Sequence, residues 1–145
     1  MPFDILIVDE DRAALATMVA ALTHAGHSAI GAPSFRHGVR ALTTTTPAVL
    51  VCSVRLGPFN GLHLLMRGRA EHPGLPAILM GPPSEVVARE AHALGAAVYL
   101  TLPLDLQALT SSVAELRDTS GDAGPVLDNG GAGLDVGNLP IILER

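Results

Sequence analysis

"VLVCSVRLGPFNGL", residues 49–62, is the stretch on which the fold turns. Val49, Leu50, Val51 and Cys52 follow one another without a polar break. A short apolar run of this kind reads as a strand covered on both faces, because a half-exposed strand alternates apolar with polar. The run ends on Ser53, passes through a loop and re-enters an apolar pattern after Gly61. Strand, loop, helix is the unit from which parallel α/β sheets are built, and ligands gather at the carboxyl ends of such strands. Ser53 therefore stands where chemistry is expected. It reads either as a nucleophile or as the mark of a site whose chemistry has been removed.

Four more runs flank it: "FDILIV" (3–8), "HSAIGA" (27–32), "PAILMG" (76–81) and "AAVYLT" (96–101), with the third run taken as "AVLVCS" (48–53). Segments of helical length separate them. Leu15, Met18, Val19 and Leu22 keep the helical period in the first, and Leu106, Leu109, Val113 and Leu116 in the last. Gly26 and Gly95 sit where helices stop. "TTTT" (43–46) ends the second helix, and Pro33, Pro47, Pro76 and Pro103 fall at element boundaries. Strand and helix alternating five times predict a doubly wound, three-layer α/β sandwich. The expected sheet is parallel and flavodoxin-like, in strand order 2-1-3-4-5, with the ligand crevice between strands 1 and 3. The domain is expected over residues 2–118. Residues 119–145 read as a Gly/Asp-rich linker closed by a short apolar tail, "LPIILER", which is either disordered or docks on a protein surface.

Composition narrows the function classes. Of 145 residues 48% are hydrophobic and 16% charged, enough apolar material for a full core under a lightly charged surface. The nine basic residues are all Arg and the net charge is −5. No basic patch for nucleic acid is visible, and a P-loop or Schiff-base lysine is excluded. The single cysteine, Cys52, rules out an intramolecular disulfide and reads as a small buried hydrophobe. The N-terminus lacks the pattern of a signal peptide, and no run reaches the ~18 apolar residues of a membrane span. The expectation is a cytoplasmic protein with no membrane partner.

The first strand runs into Asp9, Glu10 and Asp11. Acids at a strand end can hold a divalent cation through oxygen. They can equally cap the next helix, and Asp11 reads as that cap. Metal binding and capping both stay open at this point. None of the six histidines pairs with another at ligand spacing, so His24, His27, His63, His72 and His92 read as structural. "GPPS" (81–84) is a stiff loop with Ser84 as N-cap of the fourth helix.

Several motifs now carry a family resemblance. "ILIVDEDRAAL", "TPAVLVCSVRLGPFNGLHLL", "LPAILMG" and "AHALGAAVYLTLPLDLQAL" occur in order, with Gly61, Gly95, Ala96, Tyr99 and Pro103 in place. Together they resemble the receiver domain of bacterial two-component response regulators over residues 3–117. The resemblance implies a CheY-like fold. It also implies a partner kinase that passes a phosphoryl group from histidine to an aspartate with the help of Mg²⁺. The acidic pair falls on Asp9 and Glu10. The phosphoacceptor aspartate falls on Ser53, the switch Ser/Thr on Gly81, the lysine on Leu102, and the aromatic switch residue on Tyr99. Three of these positions lack the side chain that the chemistry needs.

The expectation is therefore a degenerate receiver, or pseudo-receiver. It is not an enzyme, has no catalytic residue and needs no cofactor, with Mg²⁺ at most weakly bound at Asp9 and Glu10. It would act by protein–protein contact in signalling, or as a homodimer through residues 84–117. The positive mean hydropathy of +0.40 favours an exposed apolar patch there. An alternative is a response regulator still controlled by phosphorylation, on Ser53 or elsewhere. A second is a small α/β enzyme or cofactor binder. Against the latter, no Gly-rich phosphate loop follows the first strand, and "DEDR" repels anions.

Overall fold

The computed structural model describes residues 4–121, with side chains described through Asp118. The expected "LPIILER" docking segment lies outside the described residues. The main strands are β1 (Ile5–Val8), β2 (Ala29–Ala32), β3 (Val49–Ser53), β6 (Ala77–Gly81) and β7 (Val98–Thr101). They form one parallel sheet in the order β2-β1-β3-β6-β7. With a small hairpin set aside, that is the expected order. The hairpin, β4 (Arg55–Leu56) with β5 (Phe59–Asn60), forms a separate two-stranded antiparallel ribbon inside the expected loop. The helices are α1 (Arg12–His24), α2 (Phe35–Thr44), α3 (Gly61–Glu71), α4 (Glu85–Ala93) and α5 (Leu106–Gly121). Helix α5 thus carries the chain three residues past the expected domain end at 118.

The apolar runs are continuous because both faces of the sheet are covered. Successive side chains of a strand point to opposite faces. Ile5, Ile7, Val49, Val51, Ile78 and Met80 join Leu15, Met18 and Leu22 of α1 and Leu109 and Val113 of α5 in one core. Their neighbours Leu6, Val8, Leu50, Cys52, Leu79 and Tyr99 join residues of α2, α3 and α4 in the other. Every residue of β1, β3 and β6 is buried. Each fully buried aliphatic side chain contributes roughly 1.5–3 kcal/mol, so the central strands dominate the fold's stability.

Local signals set the boundaries. Asp11, Ser34, Asn60 and Ser84 are N-caps whose side chains accept backbone N–H bonds. Helix α2 stops within the threonine run, at Thr44. Gly26 and Gly95 adopt φ of +99° and +109°, left-handed conformations that glycine takes without a Cβ penalty. Strands β1 and β7 are each two residues shorter than expected, beginning at Ile5 and Val98. Helix ends and strand ends are where periodicity carries least information.

Candidate functional site

Parallel strands deliver their carboxyl ends to one edge of the sheet. The register pairs Val8 with Cys52, Ser53 with Met80, and Gly81 with Thr101. Asp9 therefore leaves β1 beside Ser53. Val54 N–H donates to Met80 O at 2.8 Å and Leu102 N–H to Gly81 O at 2.8 Å, which ties the ends of β3, β6 and β7 together. All six residues singled out from the sequence lie at or beside this edge: Asp9, Glu10, Ser53, Gly81, Tyr99 and Leu102.

The acidic turn is built by its own backbone bonds. Asp11 N–H donates to Asp9 Oδ1 at 3.0 Å. Asp11 Oδ1 accepts from Ala13 N–H and Ala14 N–H, both at 3.1 Å, and so caps α1 as expected. Asp9 is half-buried. Burial pushes its carboxyl pKa above the ordinary value of 3.8, the Asp11 N–H bond pulls the other way, and repulsion from Asp11 and Glu10 adds to the rise. Glu10 turns aside. Its Oε1 faces Gly57, and it lines a cavity of about 310 Å³ with Pro33, Phe35, Leu56 and Phe59.

Burial of an ionised Asp9 has a sign. A carboxyl whose folded pKa is raised is better tolerated protonated, so the contribution of Asp9 to stability is fully present below 3.8 and is lost as pH rises through the raised value. Asp9→Asn keeps an oxygen for Asp11 N–H and removes the charge. It is expected to raise stability at neutral pH, and with it the thermal midpoint, by the low end of about 0.5–2 kcal/mol, since solvent screens a half-exposed group. The gain vanishes in acid. Thermal melts at neutral and acid pH check this, and an unchanged or lower neutral midpoint rejects it.

Ser53 is the one polar side chain in the buried class among the described residues, at 7% exposure. Its hydroxyl donates to Arg55 O at 3.2 Å, within its own loop. It is directed at neither Asp9 nor Glu10. Gly81 presents only backbone. Leu102 is 44% exposed at the mouth of the crevice. Among the described residues neither Asp9 nor Glu10 makes an ion pair, whereas Arg89 pairs with Glu85 and Arg117 with Asp4. Among the described residues no group of three or more His, Cys, Asp or Glu is placed to hold a metal ion. The possible cation ligands at the crevice are thus the two carboxylates. Cys52 is fully buried, and burial holds its thiol far above the ordinary range, with Asp9 adding to the effect. Two histidines are held by carbonyls: His72 Nε2 lies 2.8 Å from Leu42 O and His92 Nδ1 3.0 Å from Ala96 O.

Comparison with known proteins places this geometry. The sequence profile described as "Response regulator receiver domain" matches residues 5–114. The chain belongs to the response regulator receiver family. It is 39% identical over 101 residues to the DNA-binding transcriptional regulator NtrC of Klebsiella pneumoniae, a match covering 69% of this chain and 22% of that protein. It is 31% identical over 111 residues to the transcriptional regulatory protein ZraR of Escherichia coli, covering 76% of this chain and 25% of the relative. The chain thus spans about a quarter or less of these relatives' length. Among solved structures, the receiver domain of the Francisella response regulator 1452 superposes with a TM-score of 0.77 at 20% identity, over 81% of this chain and 98% of the other. A receiver is a signalling module rather than an enzyme. Among the described residues no helix is long and apolar enough to cross a membrane.

Sequence reasoning missed the β4–β5 hairpin and the cavity beside it. Phe35 and Phe59 stack there, with ring centroids 4.7 Å apart and planes 16° apart. The signal was present. A two-residue Gly57–Pro58 connection, with Gly57 at φ +61°, is hairpin chemistry.

Proposed function

We propose that this receiver domain acts without phosphorylation, as a pseudo-receiver whose output is protein–protein contact. The observation that carries the reading is the Ser53 hydroxyl: neutral, buried, and donating to Arg55 O at 3.2 Å. A carboxylate nucleophile is ionised at neutral pH, whereas a serine needs a base to take its proton. This proton is engaged by a carbonyl. Phosphoryl transfer further depends on positioned cations and donors around the transferred group. Leu102 supplies an apolar side chain and Gly81 none, so the incoming charge would meet two unpaired carboxylates.

The same residues make a poor magnesium seat. Magnesium is held by carboxylates together with waters and phosphate oxygens. Here Asp9 already accepts Asp11 N–H, Glu10 leans toward Gly57, and Ser53 adds a neutral hydroxyl. Binding is expected to be weak at most, and no cofactor is proposed.

The contact surface we propose is residues 84–117, used toward a signalling partner or a second copy. In support, Val86 of α4 is 72% exposed, and Leu102 lies near the same end. Ile30, Phe59 and Met66 are also exposed but lie on β2, β5 and α3. DNA binding belongs to the named relative; for this chain we propose protein partners, no nucleic acid, no membrane and a cytoplasmic setting.

The test is a titration with a phosphoryl mimic and Mg²⁺, followed by NMR. Peaks around Ser53 and Tyr99 are expected to stay in place at concentrations that saturate ordinary receivers. Clear shifts there, or a gain of one phosphoryl mass from a donor, would sink the reading. Sedimentation of the same samples reads the oligomeric state, which is expected not to respond to the mimic.

A further inference from the structure

Tyr99 is the largest fully buried side chain of the described fold, although it lies near the end of an edge strand. Its partner in register is Leu79, and its ring reaches along β6 toward Gly81. The hydroxyl donates to Pro82 O at 2.6 Å. The same carbonyl accepts from Ser84 N–H at 2.7 Å, and Ser84 caps α4 by accepting from Val87 N–H at 3.2 Å. One carbonyl thus joins β7 to the first turn of α4. It is a stiff acceptor, because Pro82 has a fixed φ and Pro83 restricts the residue before it.

Gly81 is what makes room. A Cβ at this position would stand 2.5 Å from Tyr99 Oη, 3.3 Å from Cζ and 3.1 Å from Val54 Cγ2. The ring cannot yield while its hydroxyl stays on Pro82 O. Val54 is β-branched and partly buried, and has few rotamers to offer. A side chain at 81 and a buried Tyr99 therefore exclude one another.

We infer that Gly81 is the socket of a permanent latch, in which Tyr99 occupies the volume of the absent side chain and pins the start of α4 through Pro82 O. This deepens the proposed function and takes its meaning from it: residues 84–117 present one fixed surface rather than two alternating ones. The absence at 81 then has two consequences. It removes a phosphoryl-binding hydroxyl, and it also holds the ring inward.

The chain contains one Tyr and no Trp, so tyrosine absorbance and fluorescence read this ring alone. Burial pushes the Tyr99 hydroxyl up to about 12. At a pH near 10, where a free phenol is about half ionised, the native protein is expected to remain protonated. In Gly81→Ala the titration midpoint is expected to fall toward about 10, and quenching of the fluorescence by acrylamide to rise several-fold. In a Tyr99→Phe background the clashing oxygen is gone, so the same alanine should lower the thermal midpoint less. If Gly81→Ala alone does not fold, refolding in the Tyr99→Phe background supports the latch. An unchanged titration and quenching, equal costs in both backgrounds, or no rescue overturns it. No donor or partner enters these measurements. Their failure leaves the loss of phosphoryl chemistry standing, whereas a responsive phosphoryl site beside a latched ring would sink the proposed function and keep the latch.

Discussion

Gly61→Ala is expected to destabilise the fold severely. Gly61 opens α3, and its N–H donates to Val54 O at 2.7 Å, which draws the helix start onto the end of β3. A Cβ here would overlap Ser53 O outright, and would stand 2.9 Å from Ser53 C and 3.0 Å from Cys52 Sγ. The obstacle is the backbone of a central strand whose every residue is buried. It has no free volume to move into. Overpacking typically costs about 1–3 kcal/mol when side chains can adjust, and here the nearest atoms are the Ser53 backbone, which no rotamer change can move. We expect a loss of about 3 kcal/mol or more, a large part of the roughly 5–15 kcal/mol that holds a domain together. Urea unfolding of the variant measures it. A midpoint that moves by less than about 1 kcal/mol equivalent would mean that the β3–α3 junction is looser than described.

The second large effect concerns chemistry. Ser53→Asp alone is expected to remain unphosphorylated by a small-molecule donor with Mg²⁺. The aspartate would add a third negative charge to a crevice in which Asp9 is already held above its ordinary pKa. It would find no cation, because Leu102 stands at the lysine position of the resemblance. Combining Ser53→Asp with Leu102→Lys and Gly81→Ser supplies nucleophile, cation and hydroxyl together. One preorganised donor is commonly worth on the order of 10²–10³ in rate, and groups acting on one transition state do not add independently. The triple variant is therefore expected to go from no detectable phosphorylation to a clear gain of one phosphoryl mass. Intact mass against time reads it directly. Labelling of Ser53→Asp alone at a comparable rate would refute the electrostatic account, as would labelling of the unsubstituted chain. Gly81→Ser also tests the latch from the other side, since its Cβ must expel Tyr99 before the hydroxyl can face the crevice.

Several features were legible in the residues because they depend on local chemistry. Asp11 and Ser84 were readable as caps, since a short oxygen-bearing side chain before a helix has few other uses. Of the histidines that read as structural, His72 and His92 rest on backbone carbonyls. The hairpin at Arg55–Leu56 and Phe59–Asn60 escaped because two-residue strands are too short for alternation to register. The lean of Glu10 toward Gly57 escaped too, since neighbouring acids look alike in a sequence whichever way they point.

The alternation of buried strands and amphipathic helices, and with it the parallel sheet and the edge on which Asp9, Ser53, Gly81 and Leu102 meet, is readable from the residues alone. That information is carried by periodicity and by the resemblance, and both survive without coordinates. The bond from the Ser53 hydroxyl to Arg55 O, and the competition of Gly81 and Tyr99 for one volume, emerge only when the strands are packed together. A hydrogen bond and a steric exclusion depend on distances of a few tenths of an ångström between different strands, and no pattern along a single chain encodes them.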